Sequence, residues 1–300
     1  MSSLNINDFL TDTDEVEKPI IETPQPSQSL PNIINGRYKI KRVVGVGGMG
    51  VVYEVSDLLL SSLQISNNTL AIKILNGEAN QYNDAQYILV NEYLQAKKLH
   101  HPNIVPILQM DLCNKTNKAF LLMPMIHGEL LSILLDSPVT DLSKLERITY
   151  ATQLVNTISH CHDRSVIHGD IKPGNVLISK SGEFFLFDFS ISRSLDDKDN
   201  QYAIDYNKVH AWSGHYVAPE VLHGQAPTIK SDLFSLSVLI YKLLFNVHPY
   251  QQEELVQKHS KKSLANIQSL LLQGMTPLEK HRKLNFHQLN AELNKLVNST

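Results

Sequence analysis

The chain has 300 residues, 42% of them hydrophobic and 19% charged, with a formal net charge of −3. That length suffices for one large domain or for two lobes around a cleft, and the mild negative balance gives no basis for nucleic-acid binding. Two cysteines, Cys113 and Cys161, are too few for a disulfide scaffold; no apolar run is long enough to cross a bilayer and no basic start precedes an apolar core, so we expect a cytoplasmic protein, delivery into a host cell being left undecided.

Residues 1–35 are acidic and broken by prolines. Asp8, Asp12, Asp14, Glu15, Glu17 and Glu22 face only Lys18, while Pro19, Pro24, Pro26 and Pro31 interrupt any helix. This composition predicts a disordered acidic tail. From Gly36 onward the pattern changes to folded sequence. "RYKIKRVVGVGGMGVVYEV" alternates apolar and polar residues, breaks at Gly45, Gly47, Gly48 and Gly50, and resumes in β-branched residues. That predicts strand, turn, strand, with a loop whose backbone N–H groups can approach phosphate oxygens unobstructed by a Cβ. A glycine loop that opens a helix would suggest a dinucleotide; here a strand follows.

The stretch 55–69 is too long for a tight turn and reads as an expanded hairpin loop. "TLAIKIL" is the next strand, with Lys73 in its apolar interior. Nineteen residues later comes Glu92, in a segment of helical periodicity where Ile88, Glu92, Tyr93 and Leu99 can share an inward face and which should stop before Pro102. A buried lysine needs an acid to keep it charged and aimed, and a helix glutamate can supply it.

At this point the chain resembles the eukaryotic-like (Hanks-type) serine/threonine protein kinases, and "GVGGMGVVYE" looks most like their bacterial members. The resemblance runs from about Gly36 to the C-terminus. It implies an α+β, two-lobed fold: a small, mostly antiparallel β lobe with one main helix and the hinge over 36–126, and a larger, mostly helical lobe over 127–300. It implies ATP as the phosphoryl donor, with magnesium, or manganese in its place. The residues expected around the nucleotide are Gly45, Val46, Gly47, Gly48, Gly50, Val52, Ala71, Lys73, Met123, Pro124, Ile126, Leu177 and Asp188. In "AFLLMPMIHGELL" the strand runs into the hinge; with Met123 as gatekeeper, Pro124 need offer only its C=O, so its missing N–H is tolerable.

"DLSKLERITYATQLVNTISHCHDRS" predicts a long amphipathic helix with Leu145, Ile148, Ala151, Leu154 and Ile158 on one face. Its His160, Cys161 and His162 are adjacent and point around a helix at about 100° steps, so they cannot converge on one metal ion. In "VIHGDIKPGNVLI" the resemblance assigns Asp170 as the residue that orients and deprotonates the attacking hydroxyl and Lys172 as a neutraliser of phosphoryl charge. Asn175 and Asp188, the latter in "FFLFDFS", become the metal ligands. Lys73 and Glu92 complete the expected catalytic set.

Two positions depart from the family template, which has Arg before the catalytic Asp and Gly after the Asp-Phe pair. Gly169 and Ser190 stand there. Gly169 removes a cation that in many members grips a loop phosphate, so a phosphate on Ser192, Ser194, Tyr202, Tyr206 or Ser213 would lack its usual partner. Ser190 should stiffen the metal-binding turn. "HGD" also resembles the aminoglycoside and choline phosphotransferases, but Lys172 replaces their second His. "WSGHYVAPE" looks like the protein-kinase substrate segment, and "SDLFSLSVLIYKLLFNVHPY" looks like its central helix, with Ser237 in place of a usual Gly. Glu220 should pair with Arg282 or Lys283. Lys172 and Ser213 follow the serine/threonine pattern, so the expected partner is a protein with a Ser or Thr acceptor. Asp196, Asp197, Asp199 and Asp205 form either a solvated loop or a surface that favours basic substrates; a regulatory protein partner is a further expectation. A small-molecule phosphotransferase and a catalytically silent binding platform stay open as alternatives.

Overall fold

The structure is a computed structural model that describes residues 30–47, 50–66, 68–75, 85–137, 142–196, 204, 206, 214–250 and 262–298. The expected tail lies outside these residues up to 29, as do Gly48, Trp212 and Ser213.

The small lobe is one antiparallel sheet. Strands β1 (Ile33–Ile34), β2 (Tyr38–Gly47), β3 (Gly50–Asp57), β4 (Thr69–Ile74), β5 (Gln109–Leu112) and β6 (Ala119–Pro124) run in the order β1-β2-β3-β4-β6-β5. Side chains alternate between its faces. Ile72 and Ile74 join Ile34, Tyr38, Val55, Phe120 and Leu122 on one side. On the other, Leu75 and Leu121 pack against Leu89 of helix α2 (Ala85–Ala96). Lys73 lies between Ile72 and Ile74 and therefore points to the α2 side, opposite Val52 and Leu121 in the ladder.

One expectation needs correction here, and the inward face expected of the α2 segment, which holds at Glu92 and Leu99, is wider than expected. The 55–69 connection is not a plain loop: it contains a short helix, α1 (Leu58–Ser62), because Asp57 caps it, its carboxylate accepting from the Leu59 N–H at 3.0 Å while Arg37 pairs with the same group. On α2 the deepest apolar residue is Leu89, beside buried Asn91, Glu92, Gln95 and Ala96, while Ile88 and Tyr93 are half-buried.

After the hinge come β7 (Gly128–Leu130), α3 (Leu131–Asp136), the long α4 (Lys144–Asp163), β8 (Val166–Ile167), a 3-10 turn at Pro173–Asn175, β9 (Val176–Ser179), β10 (Phe184–Leu186) and β11 (Arg193–Ser194). Helices α5 (Pro219–Leu222), α6 (Ile229–Phe245), α7 (Lys262–Gly274) and α8 (Phe286–Val297) complete the large lobe. A capping box of Ser143 and Glu146 starts α4. Ile148, Ala151, Leu154 and Ile158 face the core, but Leu145 is exposed, because at about 100° per residue it falls on the opposite side of α4 from Leu154 and Ile158. Helix α6 is apolar nearly all round and is buried from Ser231 to Tyr241, so it forms the axis of this lobe.

Candidate active site

Lys73 Nζ lies 2.7 Å from Glu92 Oε2 and 2.9 Å from Asp188 Oδ1. Three elements converge to make this triad: β4 supplies the cation, α2 one acid, and the turn after β10 the other. Burial works against the charge on Lys73, but Asp188 and Glu92 more than offset it and hold the lysine pKa above its ordinary value. One cation serves two acids unequally. Burial would raise Asp188, yet Lys73 holds its carboxyl well below the usual range. Burial pushes Glu92 up to about 7, opposed by Lys73 and reinforced by Asp188. Asp188 also adopts φ +67°, a left-handed conformation that costs a non-glycine residue energy and that the ion pair with Lys73 helps to hold.

The facing loop is set by helix α6. Asp232, buried in its first turn, accepts from the backbone N–H groups of His168 and Gly169, each at 2.9 Å, and contacts His162 Nε2 at 2.7 Å. Gly169 sits at φ +81°, and an added Cβ would come within 3.0 Å of the Ile191 carbonyl, so glycine relieves both strain and crowding here. Beyond it, Asp170 Oδ2 takes two donors, Lys172 Nζ at 2.7 Å and Asn175 Nδ2 at 2.9 Å. Among the described contacts Oδ1 takes no donor. The Asn175 amide also donates to the Asp170 carbonyl, at 2.8 Å. Burial lowers the pKa of His168, which keeps the ring neutral as its Nδ1 accepts from the Asp170 N–H at 3.2 Å. Two hard oxygens, the Asp188 carboxylate and the Asn175 amide oxygen, flank Lys73 and Asp170, a donor set that fits magnesium.

The residues expected around the nucleotide follow the sheet. Gly47 pairs with Gly50 at the end of the β2–β3 hairpin, and a Cβ on Gly50 would strike the Ile74 carbonyl at 2.6 Å. Gly45 has open space around it, Val46 is exposed and Val52 is half-buried. Ala71 stands opposite Met123 across β4 and β6, and Met123, Pro124 and Ile126 are half-buried along the hinge. Leu177 lies on the β9 face opposite buried Val176 and Ile178. Close by, Gly128 pairs with Ser179, where a Cβ would overlap the Ile178 carbonyl.

The three residues of "HCH" go to three places: Cys161 into the core, His162 onto Asp232, and His160 beside His101 with ring centroids 5.0 Å apart. Glu220 pairs with Arg282, not Lys283. The guanidinium meets the carboxylate in two parallel contacts, Nη2 at 2.7 Å from Oε2, and lies over the Phe234 ring. Asp196 is exposed; Asp197, Asp199 and Asp205 lie outside the described residues. Ser192 and Ser194 are buried, their hydroxyls used internally. The residues whose roles sequence reasoning passed over are Asp232, expected only to start the central helix that in fact begins at Ile229, and Asn91 and Gln95. A carboxylate in the first turn of an otherwise apolar helix was the available signal for the first.

The family profile described as "Protein kinase domain" matches residues 38–300. The chain belongs to that family. Among its relatives, serine/threonine-protein kinase PrkC of Bacillus subtilis (strain 168) is 34% identical over 227 residues, covering 74% of this chain and 32% of that protein. Serine/threonine-protein kinase PknB of Mycolicibacterium smegmatis is 28% identical over 224 residues, 73% of this chain and 34% of that protein. CBL-interacting protein kinase 12 of Oryza sativa subsp. japonica is 27% identical over 229 residues, 75% and 40% respectively. The chain thus spans about a third of the length of the bacterial relatives it matches. Within the kinase fold, Lys73, Glu92 and Asp188 are assembled.

Proposed function

We propose that the chain is an ATP-dependent serine/threonine protein kinase whose activation segment needs no phosphate. The observation that carries this reading is the Lys73–Glu92–Asp188 triad facing the Asp170–Lys172–Asn175 cluster, a complete set for positioning and electrostatic stabilisation of phosphoryl transfer. The glycine loop covers the phosphates, Val46, Val52, Ala71 and Leu177 enclose the base, and the hinge offers the Pro124 C=O and the Ile126 N–H and C=O. Lys73, aimed by Glu92, holds the donor phosphates. Asp170 orients the Ser or Thr hydroxyl and takes its proton as the oxygen bonds to the γ-phosphorus and the bond to the β–γ bridging oxygen breaks, releasing ADP. Lys172 offsets the negative charge on the transferring group. Magnesium, or manganese, held by Asp188 and Asn175 would neutralise charge on the phosphates.

Gly169 supports phosphate-independent activity because it offers no guanidinium. Tyr206, whose phenol burial pushes up to about 12, brings its hydroxyl to 3.5 Å from the same Ile191 carbonyl that crowds position 169. The buried Glu220–Arg282 pair, which steadies the segment after "WSGHYVAPE", supports a protein rather than a small-molecule acceptor. We read residues 1–35 as an acidic leader, 36–126 as small lobe and hinge, and 127–300 as large lobe. The setting we propose is the cytoplasm, with a basic protein substrate and a regulatory protein partner.

Radiolabelled ATP tested with generic proteins and a panel of small alcohols, followed by phosphoamino-acid analysis, decides between acceptors. Phosphoserine or phosphothreonine is expected, with Asp188→Ala abolishing magnesium-dependent transfer and Asp170→Ala cutting turnover while leaving nucleotide binding largely intact. Label appearing only on alcohols would replace this reading with a small-molecule phosphotransferase. Nucleotide binding without transfer to anything would leave a binding platform.

A further inference from the structure

Helix α2 presents a second polar stripe that the triad does not use. Asn91, Gln95 and Lys98 follow one another at spacings of four and three, so their side chains stack along one side of the helix and its last turn. Asn91 Nδ2 donates to the carbonyls of Ser192 at 2.8 Å and Ser190 at 3.3 Å. Its Oδ1 accepts from Gln95 Nε2 at 3.3 Å. Gln95 Oε1 in turn accepts from Lys98 Nζ at 3.2 Å, and the same ammonium reaches Ser194 Oγ at 3.1 Å. Residues 190, 192 and 194 lie on the segment that leaves Asp188, a turn at 190–191 that runs into strand β11. The ladder therefore reads that segment at every second residue.

Asn91 and Gln95 are buried, which makes their register costly to change: a buried amide that loses its partners pays its full desolvation penalty. Shifting α2 by one turn would break the bonds from Asn91 and Lys98 to Ser190, Ser192 and Ser194 together, while the Asn91–Gln95 and Gln95–Lys98 bonds would travel with the helix. Asn91 is also the immediate neighbour of Glu92, and the segment it holds begins two residues after Asp188, so both acids of the Lys73 triad are tied to one unit. At the far end, Ser194 pairs with Val166 and Arg193 with Ile167, the strand that leads into Gly169 and Asp170.

We propose that Asn91, Gln95 and Lys98 are positioning residues that lock α2 in register with Ser190–Ser194, so that the Lys73–Glu92 pair is assembled by side-chain bonds without a phosphate on the segment. This rests on the kinase reading and adds to it the device that replaces loop phosphorylation. Asn91→Asp keeps the side chain's size but removes its donor and aims a carboxylate at two carbonyls.

The test combines kinetics with amide hydrogen exchange on the full chain. Asn91→Asp should lower kcat by about 10- to 100-fold, the scale of losing one or two buried hydrogen bonds that act on a positioned group. The same substitution in a Glu92→Gln background should cost almost nothing further, because the ladder acts through Glu92. Lys98→Met should lower the rate and Lys98→Arg, which keeps the donors, should recover it. Exchange in 89–96 should quicken in Asn91→Asp while α6 keeps its protection. Additive losses in the Asn91–Glu92 cycle, or exchange that quickens uniformly over the molecule, would overturn the proposal in favour of a purely structural role. Should the wild-type chain transfer no phosphate, the kinase reading fails on that result, and the ladder is then decided by exchange: local quickening in α2 supports it, an unchanged α2 overturns it.

Discussion

At the scale of single residues, the site is governed by a shortage of positive charge. Lys73 is shared by Glu92 and Asp188; burial and the neighbouring Asp188 charge push the Glu92 carboxyl up, while Lys73 holds that of Asp188 down. Because its pKa is pushed up to about 7 from an ordinary carboxylate value, Glu92 is protonated below that pH and ionised above it. Only the ionised form holds Lys73 from the α2 side. We therefore expect kcat/KM to rise with pH through about 7, reporting an ionisation of the free enzyme. In Glu92→Gln that limb should flatten, at a rate lowered by orders of magnitude in keeping with lost electrostatic preorganisation. A pH–rate profile of the two proteins checks this, and an unchanged acidic limb in the variant would assign the ionisation to another group.

At the scale of secondary-structure elements, the crossing of α6 and α7 shows how one unusual side chain is accommodated. Ser237 is fully buried and donates to the Leu233 carbonyl, one turn back in α6, at 2.6 Å. The space for it is provided by Gly274 at the end of α7: a Cβ there would lie 2.0 Å from Ser237 Oγ and 2.8 Å from Leu284 Cδ2. Gly274→Ala should therefore destabilise the chain by about 1–3 kcal/mol, the usual cost of overpacking. Combining it with Ser237→Ala should recover part of that loss, since the closest clash disappears while Leu284 still has to yield. Urea unfolding of the two single variants and the pair measures the coupling, and independent, additive effects would mean the helices can separate at little cost.

At the scale of the whole molecule, two long-range ties carry the architecture. Arg282 is buried and pairs with Glu220 from 62 residues away, joining the C-terminal helices to the segment before α6. Removing one partner strands a buried charge, so Glu220→Ala should cost about 3–5 kcal/mol in denaturant unfolding; a loss below about 1 kcal/mol, the exposed-pair range, would mean water reaches Arg282. The other tie is Asp232, which holds the His168–Gly169 turn against α6 and so sets Asp170 without any contribution from a side chain at 169. With no guanidinium at that position, phosphatase-treated protein should phosphorylate substrate at the same initial rate as untreated protein. A rate that falls in step with loss of phosphate from residues 189–213, followed by mass spectrometry, would show that another cation has taken over.

Much of this was legible in one dimension because it depends on local chemistry. Glycines between two β-branched runs, a lysine inside a strand, and Asp and Asn spaced around "HGDIKPGN" each constrain a short stretch of backbone, and strand alternation alone turns Lys73 away from Ile72 and Ile74. The α1 helix was missed because its start depends on Asp57 being held by Arg37, 20 residues earlier. Leu145 does not belong with the others because at about 100° per residue it falls opposite Leu154 and Ile158, and the burial of α4 follows that angle. Arg282 and Lys283 are adjacent cations that sequence spacing could not separate; only the packing of Phe234 and the Thr276 and Pro277 carbonyls around one guanidinium selects the first. The sequence by itself determined the identity of the charged groups from residue type and, through its resemblance to the protein kinases, the fold class. The tertiary structure alone decided that Lys73 meets both Glu92 and Asp188, which backbone Asn91 and Asp232 hold, and where Ser237 finds its space, because each of these depends on distances between elements that are remote in the chain and on the burial their contact creates.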